Sequence, residues 1–150
     1  MLFEIMLSLR LYLSEQIPEA TKVQMIYDGV SLKGLDKPFI TLEDYATPMS
    51  LMAAGRKSYS ETYNIQLGVF AEDYEGRLLL QEKVKTVLLG NPIPLYDETF
   101  TLTDQSFYCE MSDFTPIGSD DMADDTNKFR AYADVSVEIL RDIGSKEFTQ

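Results

Sequence analysis

The clearest pattern in the chain lies near its end. Phe129, Ala131, Ala133, Val135, Val137 and Ile139 alternate with Arg130, Tyr132, Asp134, Ser136 and Glu138. Strict alternation puts one set of side chains on each face of a strand, so the stretch predicts a half-buried antiparallel strand. "YNIQLGVFAED" repeats the pattern, with Tyr63, Ile65, Leu67 and Val69 inward against Asn64, Gln66 and Gly68. Earlier, "KVQMIYDGVSLKG" reads as a strand with turn chemistry at Asp28-Gly29, and "KPFITLEDYATP" as a second that tolerates Pro38 at its start. "IPLYDETFTLT" and "SFYCEMSDFT" predict a hairpin that turns near Asp104-Gln105.

Two segments have helical character. Residues 2 to about 15 are rich in Leu, Met, Glu and Arg, and Pro18 marks their end. At 100° per residue, Glu4, Ser8, Leu11 and Glu15 share one narrow stripe, and most of the remaining circumference is apolar. A helix covering a sheet needs only about a third of its surface apolar. The excess predicts either deep burial in its own fold or a stripe facing another subunit. The second helix runs from about Asp73 to Leu89. Leu80, Val84 and Val87 repeat at helical spacing, Arg77, Gln81, Lys83 and Lys85 are available for solvent, and Gly90 with Pro92 stops it.

Between the second and third strands, "MSLMAAGRKSYSE" breaks the periodicity. Leu51 and Met52 read as loop residues beside Gly55 and the basic pair Arg56 and Lys57. The order is helix, three strands, helix, three strands. It predicts one α+β domain over residues 1–150, a mainly antiparallel sheet of about six strands with both helices packed on one face.

Composition adds limits. A content of 45% hydrophobic and 25% charged residues is that of a folded globular domain. Apolar runs are too short to span a membrane, and Glu4 and Arg10 interrupt the opening segment, which argues against a leader peptide. The single cysteine, Cys109, fits a reducing compartment and reads as a quiet mid-strand thiol. The formal charge is −12 and unevenly spread. No Lys or Arg stands between Lys85 and Lys128, while that stretch holds Asp97, Glu98, Asp104, Glu110, Asp113 and Asp120, Asp121, Asp124 and Asp125. Such a surface repels nucleic acid.

Histidine is absent, which removes histidine-activated nucleophiles, histidine metal ligands and histidine acid–base work. No phosphate-cradling glycine loop occurs. Only carboxylates remain. A calcium loop of the EF-hand type needs oxygen ligands at its odd positions, glycine at 6 and glutamate at 12. Starting from Asp120, those two positions hold Asp125 and Ala131; starting from Asp121, they hold Thr126 and Tyr132. Both registers fail. The four aspartates of the loop read as an acidic connector into the last strand, with adventitious Ca²⁺ or Mg²⁺ binding left open. The expectation is a protein without catalytic residues, cofactor or structural metal.

With this layout, the chain resembles the tail terminator (tail-completion) proteins of long-tailed bacteriophages. The resemblance is carried by "LFEIMLSLRLYL" before "PEATKVQMIY", by "PFITLEDY", by "YSETYNIQLGVFAED" leading into "GRLLLQEKVKTVL", and by the closing "FRAYADVSVEIL". It covers nearly the whole chain but rests on element order, so no residue-level role is carried over. It implies a virion protein at the head–tail interface, made in the host cytoplasm. Its subunits form a hexameric ring that caps the tail tube protein and meets the head connector or stopper protein, while DNA passes through without specific binding. In that setting Glu4, Ser8, Leu11 and Glu15 are candidate subunit-interface residues. Leu51, Met52, Arg56 and Lys57 are candidates for a loop that orders on docking, against the alternative of a hairpin end folded onto its own sheet. Asp120, Asp121, Asp124 and Asp125 are candidates for an acidic lumen. Two other readings stay open: a small acidic binding or inhibitor module docking on a basic partner, and another neck or minor capsid component.

Overall fold

The computed structural model describes residues 1–26, 32, 34–44, 49–51, 58–116 and 129–142. Its elements are α1 (Leu2–Gln16), β1 (Val23–Met25), β2 (Phe39–Asp44), β3 (Met49–Leu51), β4 (Ser58–Ala71), α2 (Tyr74–Leu88), β5 (Ile93–Tyr96), β6 (Leu102–Phe107), β7 (Glu110–Met111), β8 (Thr115–Pro116) and β9 (Phe129–Asp142). The fold is α+β with both helices on one face of the main sheet. That sheet has seven strands, in the order β1-β2-β4-β9-β7, with β3 beside β4 and β8 beside β9; β5 and β6 form a separate two-stranded sheet. All its pairings are antiparallel except the edge pair β1–β2.

The middle of the sheet is the ladder of β4 and β9. Fourteen residues of each strand pair in unbroken register, from Ser58 opposite Asp142 to Ala71 opposite Phe129. At roughly 3.3 Å per residue this ladder is about 46 Å long. β2 flanks it at Ile65–Phe70 and β3 at Tyr59–Glu61. On the other side β7 and β8 pair with Val135–Ser136 and Ala131–Tyr132 of β9.

The inward alternation holds. Ile40 and Leu42 of β2, Tyr63, Ile65, Leu67 and Val69 of β4, and Ala131, Ala133, Val135 and Val137 of β9 are all buried. Against them pack Ile5, Met6, Leu9 and Leu13 of α1 and Leu80, Val84, Val87 and Leu88 of α2. The Tyr12 hydroxyl ties the helices together by donating to the Val87 carbonyl at 3.1 Å. α2 starts where Asp73 accepts from the Gly76 N–H at 2.7 Å, a side-chain cap for an otherwise unpaired helix-end donor. It stops at Gly90, whose φ of +77° suits a residue without a Cβ.

The opposite face of the sheet is not uniformly polar. Phe39 and Phe70 stack there with ring centroids 4.6 Å apart, and Tyr132 meets Phe70 edge-on at 6.0 Å. Between them Thr41, Gly68 and Tyr132 stand in line across β2, β4 and β9.

Four sequence expectations change. Leu51 is a strand residue in β3, so four strands rather than three separate the helices; a three-residue strand carries too little pattern to register as periodicity. Five short or long strands follow α2 rather than three, because the β7–β8 edge is broken into two-residue pieces. The hairpin turns at Asp97–Thr101, and Asp104 and Gln105 lie within β6. Arg77 is buried, its side chain donating to Gln81 Oε1 at 2.5 Å with the guanidinium 5.2 Å from the Tyr74 ring centroid. A long arginine stem can lie on an apolar stripe while its head finds polar company.

Candidate interaction surfaces

The α1 stripe divides along its length. Ser8 is fully buried. Its Oγ donates to the Glu4 carbonyl at 2.6 Å and accepts from the Tyr96 N–H at 2.8 Å, so β5 of the same chain covers it. Ser8 is therefore withdrawn as a subunit-interface residue: its hydroxyl is spent on docking the small sheet against α1. Glu4 is half-buried and pairs with the Met1 ammonium at 3.2 Å. Leu11 is half-buried rather than solvated, and Glu15 is exposed. Phe3 of the same helix is 49% exposed.

Leu51 sits opposite Tyr59 in the β3–β4 pair. Met52, Arg56 and Lys57 lie outside the described residues, as do Asp120, Asp121, Asp124 and Asp125.

The hairpin holds a surface that the sequence reading missed. Phe107 faces the core, while Leu102, Asp104, Gln105 and Ser106 of β6, and Tyr108 just beyond it, are exposed. Leu102 is 57% and Tyr108 62% exposed, and Phe100, in the turn, is 57% exposed. A turn expected at Asp104-Gln105 concealed these exposed positions.

The turn itself is tightly specified. Asp97 Oδ1 accepts from the Thr99 hydroxyl at 2.6 Å, the Thr99 N–H at 2.9 Å and the Thr101 N–H at 3.0 Å. These donors, the Thr99 hydroxyl foremost, hold the Asp97 carboxyl below its usual range. The backbone returns through Phe100 at φ +67°, a left-handed conformation that a bulky side chain rarely takes.

Elsewhere the titratable groups do structural work. Cys109 lies between β6 and β7 rather than within a strand; it is buried, and burial pushes its thiol up to about 12. A thiol so placed is a poor nucleophile near neutral pH. Burial also raises the Tyr132 phenol, with the nearby Arg130 acting in the opposite direction. Lys85 reaches Asp113 at 3.1 Å on the surface. Among the described residues, no group of three or more acidic or cysteine side chains is placed to hold a metal ion, and no helix is long and apolar enough to cross a membrane. No family model matches the chain, and no curated protein matches it significantly.

Proposed function

We propose that this chain is a structural virion subunit that forms a hexameric ring, caps a phage tail tube and joins it to the head connector. The observation that carries the reading is the β4–β9 ladder. Past Ser136, β9 continues to Asp142 with β4 on one side, and among the described residues no strand pairs with its other side. An edge of unpaired backbone groups is a template for another chain, and a closed ring abolishes such edges by joining each subunit to the next. Half-buried Leu11 and exposed Phe3 and Glu15 on α1 offer further contact area for a neighbour. The family resemblance implies an α+β subunit of this kind, and a chain without histidine suits a structural rather than a catalytic role.

Charge makes the reading testable. Six copies bring together a formal charge of −72 from −12 each. Self-repulsion opposes their association, and at about 0.01 M salt the Debye length of about 30 Å spans a lumen wide enough for DNA, against about 8 Å at 0.15 M. Ring formation therefore strengthens as salt rises from about 10 to 300 mM, opposite to nucleic-acid binding, which weakens. Light scattering across that series measures it, and electron microscopy of mixtures with tail tubes shows whether rings sit at tube ends. A monomer unaffected by salt at high protein concentration would overturn the ring.

The second reading, an acidic module docking on a basic partner, is favoured by the acidic hairpin segment with its exposed apolar side chains. It requires a monomer at every salt concentration.

A further inference from the structure

The main sheet ends on both sides in outward-facing backbone. On the β9 side, the Ser112 N–H donates to the Asp134 carbonyl at 2.9 Å and the Asp134 N–H donates to Ser112 Oγ at 2.9 Å. The backbone groups of Asp134 therefore point away from β4. The two-residue period of a strand gives the same direction to Glu138, Leu140 and Asp142, which lie beyond Ser136, where β7 starts its pairing. On the β1 side, the Ile40 N–H donates to the Lys22 carbonyl at 2.9 Å and the Ile26 N–H to the Leu42 carbonyl at 2.8 Å. Lys22, Gln24 and Ile26 thus turn their backbone groups to β2, while Val23 and Met25 turn theirs outward. Among the described residues no strand lies beyond β1.

The two edges match in direction and in face. β1 is parallel to β2, β2 antiparallel to β4, and β4 antiparallel to β9, so β1 and β9 run the same way. Rotation about an axis along the strands keeps that direction, so a ring brings β9 of one copy beside β1 of the next in parallel. On both strands the odd positions face the core, with Val23 and Val137 buried, and Lys22 and Glu138 are exposed.

We propose that β1 of each copy adds in parallel to the open half of β9 of the next, with Val23 opposite Ile139, so that one sheet runs unbroken round the ring. The pairing rests on the ring reading and names the surfaces that close it. Three backbone bonds then form between copies: Val23 N–H to the Glu138 carbonyl, Leu140 N–H to the Val23 carbonyl, and Met25 N–H to the Leu140 carbonyl. The pairing ends at the Met25 carbonyl, which already accepts from Gln24 Nε2 at 2.8 Å. The same register sets Lys22 opposite Glu138, and opposite charges directly across a strand pair stabilise it. A two-fold pairing of β9 with β9 is disfavoured. The register that uses all three outward residues centres on Leu140 and sets Glu138 against Asp142, like charges in direct opposition.

The test measures ring formation by the full chain with light scattering at about 50 and 300 mM salt. Lys22→Glu should raise the concentration for half-assembly at least threefold above that of Lys83→Glu, which makes the same charge change on the exposed side of α2. Glu138→Lys should raise it at least threefold above wild type, although it lowers the net charge of every copy. Lys22→Glu combined with Glu138→Lys should return it to within twofold of wild type. Leu140→Pro removes one outward N–H and no rung to β4, a place where proline is tolerated, so it should abolish rings while keeping the wild-type circular dichroism. Amide exchange at Met25 and Leu140 should slow at least tenfold on assembly. Rings that form equally well in every variant would overturn the pairing and leave the ring standing. So would amides at Met25 and Leu140 already fully protected in the monomer. A wild-type dimer would give the edge to a two-fold pairing, and a wild-type monomer at both salt concentrations would overturn ring and pairing together.

Discussion

Replacing Ser8 by alanine removes one oxygen, and the structure says what that oxygen does. It accepts the Tyr96 N–H where β5 meets α1, at a site closed to solvent on the serine side. Without it the amide of Tyr96 loses this acceptor. Leaving a buried donor unsatisfied costs about 1–3 kcal/mol. Against this, alanine is the better helix former by about 0.5 kcal/mol, and the lost bond to the Glu4 carbonyl matters little, because that carbonyl belongs to the helix ladder. The net expectation is a destabilisation of about 1.5 kcal/mol, which for a domain of this size lowers the melting temperature by about 3–6 °C. Urea denaturation followed by circular dichroism measures it, with Ser14→Ala on the exposed side of the same helix as the reference. Ser14→Ala should be neutral or stabilising by up to about 0.5 kcal/mol. Equal stability of the two variants would refute the reasoning. A Ser8→Ala protein of normal monomer stability but altered assembly would return Ser8 to the subunit interface.

Three further outcomes follow from the geometry. Gly68→Ala should cost about 1–3 kcal/mol by overpacking, because an added Cβ falls 2.9 Å from Tyr132 Cε1 and nearer still to Thr41 Oγ1; an unchanged urea midpoint would show that the aromatic face yields freely. Stability should fall as pH rises from about 9 towards 12. The unfolded Cys109 thiol ionises near 9 while burial holds the folded one protonated up to about 12, and Tyr132 shifts in the same direction, so the unfolded state sheds protons first. Cys109→Ala should flatten that slope, and an equally steep decline in the variant would assign it elsewhere. Asp97→Ala should speed amide exchange at Thr99 and Thr101. In the wild type, lowering the pH through the depressed carboxyl range of Asp97 should reduce the protection of these amides relative to their intrinsic exchange rate, since its contribution is complete above the unfolded value of 3.8 and lost below the folded one. Protection at these two amides that ignores both changes would remove the carboxylate from the turn.

The long elements were legible because their periods run for many residues. β4 and β9 alternate over enough positions that Tyr63, Ile65, Leu67 and Val69, and Ala131, Ala133, Val135 and Val137, were placed on the correct face, and the start of α2 near Asp73 and its glycine stop were read closely. The short elements were not. β3, β7 and β8 have two or three residues each and form only because a long neighbour offers them an edge. The direction of β1, parallel to β2, depends on a connection rather than on composition. Ser8 shows the limit most sharply. Helical geometry correctly grouped it with Glu4, Leu11 and Glu15, but a wheel cannot say that a backbone amide 88 positions away will fill the space above it. The turn at Asp97–Thr101 lies several residues before the expected one, so residues 102–107 were not read as one strand.

The sheet order β1-β2-β4-β9-β7 has a consequence for how the chain acquires its shape. β9 is the last described element to leave the ribosome, yet it occupies the middle of the sheet, between β4 and the β7–β8 edge. Until it arrives, β4 has a full-length open side, α2 lacks part of the floor it packs on, and β7 has nothing to pair with. Residues 72–128 must also be held as a closed loop before the first β4–β9 rung forms, an entropic cost met before any contact repays it. The middle of the main sheet thus waits for β9, and until then one full side of β4 stays unpaired although β2 and β3 already flank the other. Newly made copies on neighbouring ribosomes meet in that condition, so the step most exposed to mispairing comes before any mature surface exists.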